Sequence, residues 1–440
     1  MYAIGIDIGT TSICGVLVDI DTGKIVESRT ELSNAFVFTE NPWEKIQNTE
    51  KVISLAMDIL EDFLEYPIRA IGLTGQMHGI VYVDKDGKAV SPLYTWQDTR
   101  GNQPYNNSTY AEHLGSFAGY GNVTDFYNRE NGLRPAEAVA HCTIMDYLGM
   151  VLCGLKKPLI HTTNAASLGC FDLKTKSFSY DVAADISDSF EILGTYKGIP
   201  VSVAIGDNQA SVFSTLADER DVLLNVGTGS QVSVVSDAVK VGENIEARPY
   251  FDGKYLLVGA ALCGGRAYGM LKDFYAAFLR AAGASGITDA TRMSGTADIY
   301  AVMNKLMADH TECVQDFLKV DTRFAGTRKQ PDLCGNISGI TVNNFTPANL
   351  TYGFLDGMME ELYVMYEQMG VHTINLVGSG NGIRKNQILV KIAENKFGGS
   401  LRIPAHTEEA AYGASLFGLV ACGVFESAKQ AQALIRYEGV

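Results

Sequence analysis

The sequence predicts an α/β protein with two domains, and three observations lead to this prediction. Residues 3–9 place Ile at every second position, which is the periodicity of a strand with one apolar face. Residues 201–214 change at Gly206 from a buried-strand pattern to a helical one. The motif Asp-x-Gly-Thr at 7–10 recurs as Asn-x-Gly-Thr at 225–228, near the start of the second half. This short repeat favours duplication of one fold.

The composition agrees with an ordinary globular protein. A chain of 440 residues exceeds one core of usual size, and 46% hydrophobic with 19% charged residues argues against disorder. The net charge of −15 disfavours broad binding to nucleic acid, which requires clustered Lys and Arg. No signal peptide and no membrane-spanning run is found, so we expect a cytoplasmic protein without a membrane partner. The eight cysteines lack zinc spacing and are expected to be reduced.

The first half begins with three strands in succession. A helix is predicted over 42–66, with Asn41 and Pro42 as its start signal, and a strand over 68–74. Further along, we predict a hairpin around 84–87, a helix over 135–152 and a loop over 163–167. The strand over 201–205 then leads into the helix that follows Asp207.

The charged run at 216–221 is the best candidate for the domain boundary. Beyond it the sequence predicts strands over 223–226 and 232–235, a glycine-rich loop at Gly264-Gly265, and helices over 267–279 and 347–369. A strand over 373–377 leads into the glycine-rich stretch 378–382, and helices follow over 386–396 and 408–421.

Two turns are candidates for phosphate binding. The first contains Gly9, Thr10, Thr11 and Ser12, and the second contains Gly227, Thr228, Gly229 and Ser230. Backbone N–H groups and hydroxyls converge in turns of this kind, which suits phosphate oxygens and a magnesium ion. Either turn alone is more simply a hairpin, and the pair together favours phosphate.

Gly378-Ser379-Gly380-Asn381 follows a predicted strand, but it lacks the glycine spacing of a dinucleotide-binding oxidoreductase. A glycine-lined slot for adenine and a plain turn both fit this stretch.

Three further sites carry polar candidates. His78 has no second ligand at metal spacing, so hydrogen bonding to a polar substrate is the better interpretation. Trp96, Asp98 and Arg100 combine an aromatic face with charged groups, as carbohydrate sites do, although Trp is as often part of the core. Asp207 lies where a strand ends and a helix begins, so it is either a helix cap or a ligand-facing acid.

These motifs, in this order, resemble the FGGY carbohydrate kinases of the actin-like ATPase superfamily. Asp7 to Ser12 and Gly227 to Ser230 resemble the two phosphate motifs, Gly378 to Asn381 the adenosine motif, and Gly206 to Gln209 the catalytic-base segment. Gly75 to Gly79 is similar to the sugar-binding loop of xylulokinases and sedoheptulokinases.

The resemblance implies two actin-like (ribonuclease H-like) domains, each a mixed sheet flanked by helices, with the cleft between residues 1–217 and 218–440. It implies ATP as co-substrate, Mg²⁺ as cofactor and a small sugar as acceptor, with a homodimer as one option for assembly. Asp207 would be the catalytic base and Asp7 the magnesium-orienting group. The sugar candidates are Gln76, Met77, His78, Trp96, Asp98, Arg100 and Asn208. The nucleotide candidates are Gly9, Thr10, Thr11, Ser12, Gly227, Thr228, Gly229, Gly264, Gly265, Gly378, Gly380 and Asn381.

Phosphorylation of sedoheptulose at its terminal hydroxyl is the function that the resemblance favours. A D-xylulose kinase is the alternative within enzymes. An actin-like ATP-binding sugar sensor is the alternative from another class.

Overall fold

The computed structural model describes residues 1–242, 244–281, 298–308, 317–327, 330, 332–371 and 375–439. Its first half is built around one mixed sheet. The helices and strands, in chain order, are β1 (Tyr2–Ile8), β2 (Ser12–Asp19), β3 (Ile25–Leu32), β4 (Ile46–Gln47), α1 (Thr49–Asp62), β5 (Ile68–Gly75), β6 (Val81–Val83), β7 (Leu93–Tyr94), β8 (Pro104–Tyr105), β9 (Ser108–Thr109), α2 (Tyr110–His113), α3 (Gly121–Glu130), β10 (Ala140–Cys142), α4 (Ile144–Cys153), β11 (Leu159–His161), α5 (Thr162–Ser167), β12 (Phe171–Asp172), β13 (Ser177–Phe178), β14 (Asp185–Ser187), β15 (Ile192–Tyr196), β16 (Ile199–Ser202), β17 (Ile205–Gly206) and α6 (Asp207–Thr215).

The first sheet has the strand order β15-β16-β5-β1-β2-β3, with β17 also pairing with β5. Strand β1 is antiparallel to β2 and parallel to β5, and β17 is parallel to β5 as well. The carboxyl ends of β1, β5 and β17 therefore lie at the same edge. In register, Asp7 is beside Thr74, and Gly206, the residue before Asp207, is beside Gly75.

The second half contains a second mixed sheet. Its helices and strands are β18 (Val222–Val226), β19 (Ser230–Ser236), β20 (Ile245–Pro249), β21 (Tyr255–Ala261), α7 (Gly264–Ala281), α8 (Ile299–Ala308), β22 (Lys319–Asp321), β23 (Asn336–Ser338), α9 (Pro347–Met369), β24 (Leu376–Ser379), α10 (Gly380–Lys385), α11 (Gln387–Phe397), β25 (Leu401–Arg402), α12 (Glu409–Ala421) and α13 (Ala428–Gln432).

The second sheet repeats the pairing pattern of the first. Its order is β20-β21-β19-β18-β24-β25, with β18 antiparallel to β19 and parallel to β24. Strands β18, β19 and β24 thus correspond to β1, β2 and β5. Asn225 pairs in register with Ser379, as Asp7 pairs with Thr74. The repeat that the short motif predicted is therefore present in the topology.

Helix α12 belongs to the second half by sequence, yet it packs on the first sheet and on α6. Three glycines permit this contact. A Cβ atom at Gly5 or Gly72 would lie 1.8 Å from a carbonyl oxygen of α12, and one at Gly413 would lie 1.9 Å from Ala210 O. One buried apolar cluster accordingly combines residues of both halves, among them Phe213 and Phe417. The boundary between 217 and 218 stays a prediction.

Several predicted elements require correction at their starts. Helix α1 begins at Thr49 rather than near residue 42, because Ile46–Gln47 pairs with β7 and Asn48 caps the helix. Residues 140–142 form a strand, so the helix predicted from 135 begins only at Ile144. The predicted loop at 163–167 is helix α5.

Other predictions are confirmed, including the three opening strands, β5 and the full extent of α9. Strand β24 begins at Leu376, and residues 373–374 of the predicted strand lie outside the described residues. Within the described part of the chain, no helix is long and apolar enough to cross a bilayer.

Candidate active site

Asp7 is a half-buried carboxylate at the end of β1. Burial raises the pKa of Asp7 to about 7, and the charges of Asp207 and Glu408 add to this increase. The two aspartates are therefore electrostatic neighbours, as expected from the shared edge of β1, β5 and β17. A carboxylate in this setting is suited to bind a cation.

Asp207 is the first residue of α6, and Gly206 occupies the N-cap position. The interpretation of Asp207 as the cap is therefore wrong. Burial raises the pKa of Asp207 to about 6, while the Asn208 N–H and the Arg248 guanidinium act in the opposite direction. The positive end of the helix dipole also favours the ionised form. Such a group can accept a proton near neutral pH.

The first predicted phosphate turn lies between β1 and β2, directly after Asp7. The Thr10 hydroxyl donates a hydrogen bond to Gln76 Oε1 at 3.2 Å and accepts one from Trp96 Nε1 at 2.9 Å. Thr11 is exposed beside it, and Ser12 begins β2. The turn thus joins the sugar-loop candidates to the phosphate candidates in one place.

The second turn lies between β18 and β19, with Thr228 and Gly229 exposed. Gly264 and Gly265, predicted as a glycine-rich loop, instead form the first residues of α7. Gly265 N donates to Gly227 O at 3.0 Å, and a Cβ atom at Gly265 would lie 2.3 Å from that oxygen. The glycine pair allows α7 to rest on the turn; its contact with nucleotide stays a prediction.

The predicted adenosine segment spans the end of β24 and the start of α10. Gly378 is buried within the sheet, where a Cβ atom would lie 2.7 Å from Leu401. Gly380 has φ +81° and lies against Val226, whose carbonyl oxygen would be 2.5 Å from a Cβ atom. Asn381 is exposed. Gly380 and Asn381 remain candidates for nucleotide, whereas the missing side chain of Gly378 is explained by packing.

A cavity of about 250 Å³ lies beside the sugar loop and is lined by Met77 and His78. The His78 ring stacks on Tyr120 at 4.3 Å between centroids, and His78 Nδ1 lies 2.8 Å from Ser167 O. A carbonyl oxygen only accepts, so Nδ1 carries the hydrogen. Gln76 is buried and donates to Gln47 Oε1 at 3.1 Å. Its side chain therefore orients the turn around Thr10.

Trp96, Asp98 and Arg100 were predicted to form one sugar-binding group, but they differ in their exposure to solvent. Trp96 is 48% exposed, whereas Asp98 and Arg100 are 0% and 1% exposed. Arg100 donates to both carboxylate oxygens of Asp98, at 2.8 and 3.0 Å, and to Asn128 at 2.5 Å. Asp98 and Arg100 thus form a buried pair whose polar atoms have protein partners. Their contact with sugar stays a prediction.

Asn208 lies next to Asp207 and is held by the second sheet. Its Nδ2 donates to Gln231 Oε1 at 3.2 Å, and its Oδ1 accepts from Arg248 Nη1 at 3.1 Å. Arg248 also donates to Glu246 Oε2 at 2.9 Å. Sequence reasoning missed Glu246 and Arg248, because a Glu-x-Arg strand pattern carries no local signature of a site.

Two acids at the start of α12 were also missed. Cys14 Sγ donates to Glu408 Oε2 at 3.3 Å, and the charge of Glu408 contributes to the raised pKa of Asp7. Burial raises the pKa of Glu409 to about 7, although Arg384 lies 3.6 Å away. A pair of acids at a helix start was the available signal, but it is equally typical of ordinary helix termini.

The residues present fit a magnesium ion that is bound partly by other ligands. Asp7 is a half-buried carboxylate, and the charges that raise its pKa are those of two acids, Asp207 and Glu408. No set of three His, Cys, Asp or Glu side chains able to hold a metal occurs in the described residues. Mg²⁺ commonly binds through one or two carboxylates plus water and substrate phosphates, which is compatible with this arrangement.

Known proteins resemble this chain over most of its length. The chain is similar to sedoheptulokinase of Mus musculus, with 26% identity over 90% of this chain and 92% of the relative. It is also similar to gluconokinase of Bacillus subtilis strain 168, with 22% identity over 97% and 88% of the two chains. The solved structure of xylulose kinase from Rhodospirillum rubrum superposes with a TM-score of 0.81 at 19% identity, covering 99% and 93%.

Each half of the duplicated fold also matches its own domain description. Residues 2–114 match the N-terminal domain of the FGGY family of carbohydrate kinases, and residues 222–422 match the C-terminal domain. These ranges include both phosphate turns, all of the second sheet and strands β1, β2, β3 and β5 of the first sheet. Strands β15 to β17 and Asp207 lie between the two ranges. The chain therefore belongs to the FGGY family of carbohydrate kinases and is a sugar phosphotransferase.

Proposed function

We propose that this kinase transfers the γ-phosphoryl group of ATP to the terminal hydroxyl of a ketose, with sedoheptulose as the first candidate. Two relatives called sedoheptulokinase, from Mus musculus and Homo sapiens, match this chain over 92% of their own length with 26% identity. D-Xylulose is the second candidate, since relatives called xylulose kinase match at about 30% identity. Those matches, however, cover less than a quarter of this chain.

The observation that carries the proposal is the position of Asp207 at the edge where β1, β5 and β17 end. Asp207 accepts the proton of the sugar hydroxyl as its oxygen bonds to the γ-phosphorus and the bond to the ADP oxygen breaks. A positioned base of this kind contributes about 10²- to 10⁴-fold to a rate. Alignment and charge neutralisation contribute the remainder in phosphoryl transfer.

The two turns support binding of the phosphate chain. Thr10, Thr11 and Ser12 from the first half and Thr228 with Gly227 and Gly229 from the second provide hydroxyls and backbone N–H groups. Asp7 would hold Mg²⁺, with water and phosphate oxygens as the other ligands. When bound, the ion neutralises negative charge on the phosphates.

The sugar is held by the first half together with residues of the second sheet. Met77 and His78 line the cavity, and Trp96 presents an exposed aromatic face beside Thr10. Asn208 is fixed next to the base. Gln76 acts indirectly, by orienting Thr10.

A coupled ADP-release assay with Mg-ATP over a panel of ketoses, polyols and D-gluconate tests the proposal. We expect sedoheptulose to raise the rate well above the background ATPase and to yield a 7-phosphate, with xylulose as the next best acceptor. If ADP release rises while no phosphorylated sugar forms, a sugar sensor is the better description. If only non-ketose acceptors are phosphorylated, the proposed substrate class is wrong.

A further inference from the structure

Strand β20 of the second sheet carries two charged side chains into the cavity beside His78. Glu246 and Arg248 are two residues apart, so both project from the same face of the strand. Both line the cavity together with Met77, His78 and Gln209 of the first half. Gln209 also donates to Pro249 O at 3.0 Å, which holds the start of α6 against the end of β20.

The two charges compensate each other inside the cavity. Arg248 Nη2 donates to Glu246 Oε2 at 2.9 Å, and their side chains are 16% and 32% exposed. Among the described residues that line this cavity, with histidine taken as neutral, these two carry the formal charges. The cavity wall is therefore polar but electrically balanced. Asp207 precedes the lining residue Gln209 by two positions, and the charge of Arg248 acts on its carboxylate.

The hydrogen-bonding groups of the pair match hydroxyls. Arginine has five N–H donors, and two of those of Arg248 are used by Asn208 and Glu246. The Glu246 carboxylate has two oxygens with about four acceptor sites, so it can accept hydrogen bonds from several donors at once. A neighbouring donor and acceptor can bind adjacent hydroxyls of a polyol without adding net charge.

An anionic sugar meets a different environment at the same place. The carboxylate of a sugar acid in this cavity would meet the Glu246 carboxylate. The charge of Arg248 is already compensated by Glu246 and also acts on Asp207. Moving an uncompensated charge into a partly buried site is unfavourable. The relatives include both sedoheptulokinases and gluconokinases, so the fold accommodates enzymes named for either kind of sugar.

We propose that Glu246 and Arg248 bind hydroxyls of the sugar other than the one that is phosphorylated, and that their pairing selects a neutral sugar over a sugar acid. This inference rests on the proposed kinase function and adds a specificity determinant contributed by the second sheet.

The test compares kcat/KM for sedoheptulose, D-xylulose and D-gluconate in the wild-type chain and in the variants Glu246→Gln and Arg248→Met. Asp86→Asn, which alters an exposed pair with Lys156, serves as the matched control. Thermal denaturation verifies folding of each variant, and calorimetry measures sugar binding separately from turnover.

We expect the wild type to prefer a neutral ketose over gluconate. In Glu246→Gln the ketose KM should rise about 10- to 100-fold, the usual effect of losing a hydrogen bond to a charged group. The same variant leaves Arg248 uncompensated, so its preference should shift at least about 10-fold toward gluconate. Arg248→Met should weaken ketose binding without any gain for gluconate, and Asp86→Asn should behave as the wild type.

A wild type that prefers gluconate would overturn the inference while leaving the kinase function intact. The same holds if folded Glu246→Gln keeps both the wild-type ketose KM and the wild-type preference. If no sugar is phosphorylated, the proposed function fails. Calorimetry then decides the inference: ketose binding that is lost in Glu246→Gln supports the role of the pair, and binding that is unchanged refutes it.

Discussion

At the scale of single residues, the raised pKa of Asp7 makes the stability of the folded protein depend on pH. A raised pKa means that the folded state binds the proton more tightly than the unfolded chain does, where the pKa is near 3.9. The favourable contribution is therefore present below about pH 4 and is lost as the pH rises through about 7. At higher pH the folded protein holds a charge that its surroundings disfavour.

Asp7→Asn should therefore stabilise the protein at pH 8 in the absence of Mg²⁺ and nucleotide. The gain should be on the order of 2 kcal/mol, since one pKa unit corresponds to about 1.4 kcal/mol and the Asp207 charge remains in the variant. Urea denaturation at pH 8 and pH 4 measures it, and the gain should shrink at pH 4. An Asn variant less stable than the wild type at pH 8 would contradict this account.

If Asp207 is the catalytic base, activity should fall on the acid side of the pH–rate profile. Because the pKa of Asp207 is raised to about 6, the base becomes protonated below that pH. We expect kcat/KM for the ketose to fall about tenfold per pH unit well below pH 6. Initial rates between pH 5 and 8 at fixed free Mg²⁺ measure this fall. An activity that stays level down to pH 5 would argue against Asp207 as the base.

Single residues were predicted from the sequence with mixed success. Asp207, His78 and Trp96 followed from motifs: His78 lines the cavity, Trp96 donates to Thr10, and Asp207 begins α6, while their roles stay predictions. Asp98 and Arg100 belong to the same run as Trp96, yet they are buried. A charged pair beside an aromatic residue looks the same in sequence whether it faces a ligand or the core. The position of Glu246 in the cavity could not be predicted from the sequence, because only tertiary contact brings β20 to the sugar loop.

At the scale of elements, α12 depends on glycines where it crosses α6 and the first sheet. Gly413→Ala should separate α12 from α6, because the new methyl group would meet the Ala210 carbonyl. Overpacking of this kind costs about 1–3 kcal/mol. Gly269→Ala in α7 is the matched control, since its Cβ meets only Tyr300 Oη, at 3.7 Å.

Thermal denaturation distinguishes the two glycine variants. Gly413→Ala should lower Tm, whereas Gly269→Ala should leave it unchanged or raise it, because Ala is favoured over Gly by up to about 1 kcal/mol inside a helix. Equal Tm values for both variants would show that the close approach of α12 and α6 does not matter for stability.

Elements with long, regular patterns were predictable, and short ones were not. Helix α9 begins at a Pro and carries its apolar positions without interruption, so its bounds were predicted in full. The start of α1 was wrong because Ile46–Gln47 pairs with a strand far along the chain. Such pairing overrides local start signals, which act only through neighbouring residues.

At the scale of the whole molecule, the duplication explains the site. Each half has the same kind of turn after the corresponding strand, β1 or β18. The proposed function uses both turns for one phosphate chain. The halves have since diverged: Asp7 is matched by Asn225, which donates to Ser379 Oγ at 2.8 Å instead of presenting an acid. The short repeat predicted this architecture, but it gave no sign that α12 returns to the first sheet.

The central claim is that Asp207 is the base of a ketose kinase. The most direct measurement is the rate of ketose-dependent ADP release in Asp207→Asn, beside the wild type and Asp86→Asn, with ketose affinity measured by calorimetry. We predict that kcat falls about 10²- to 10⁴-fold in Asp207→Asn while ketose affinity changes little. Turnover near the wild-type rate in a folded Asp207→Asn protein would contradict the claim.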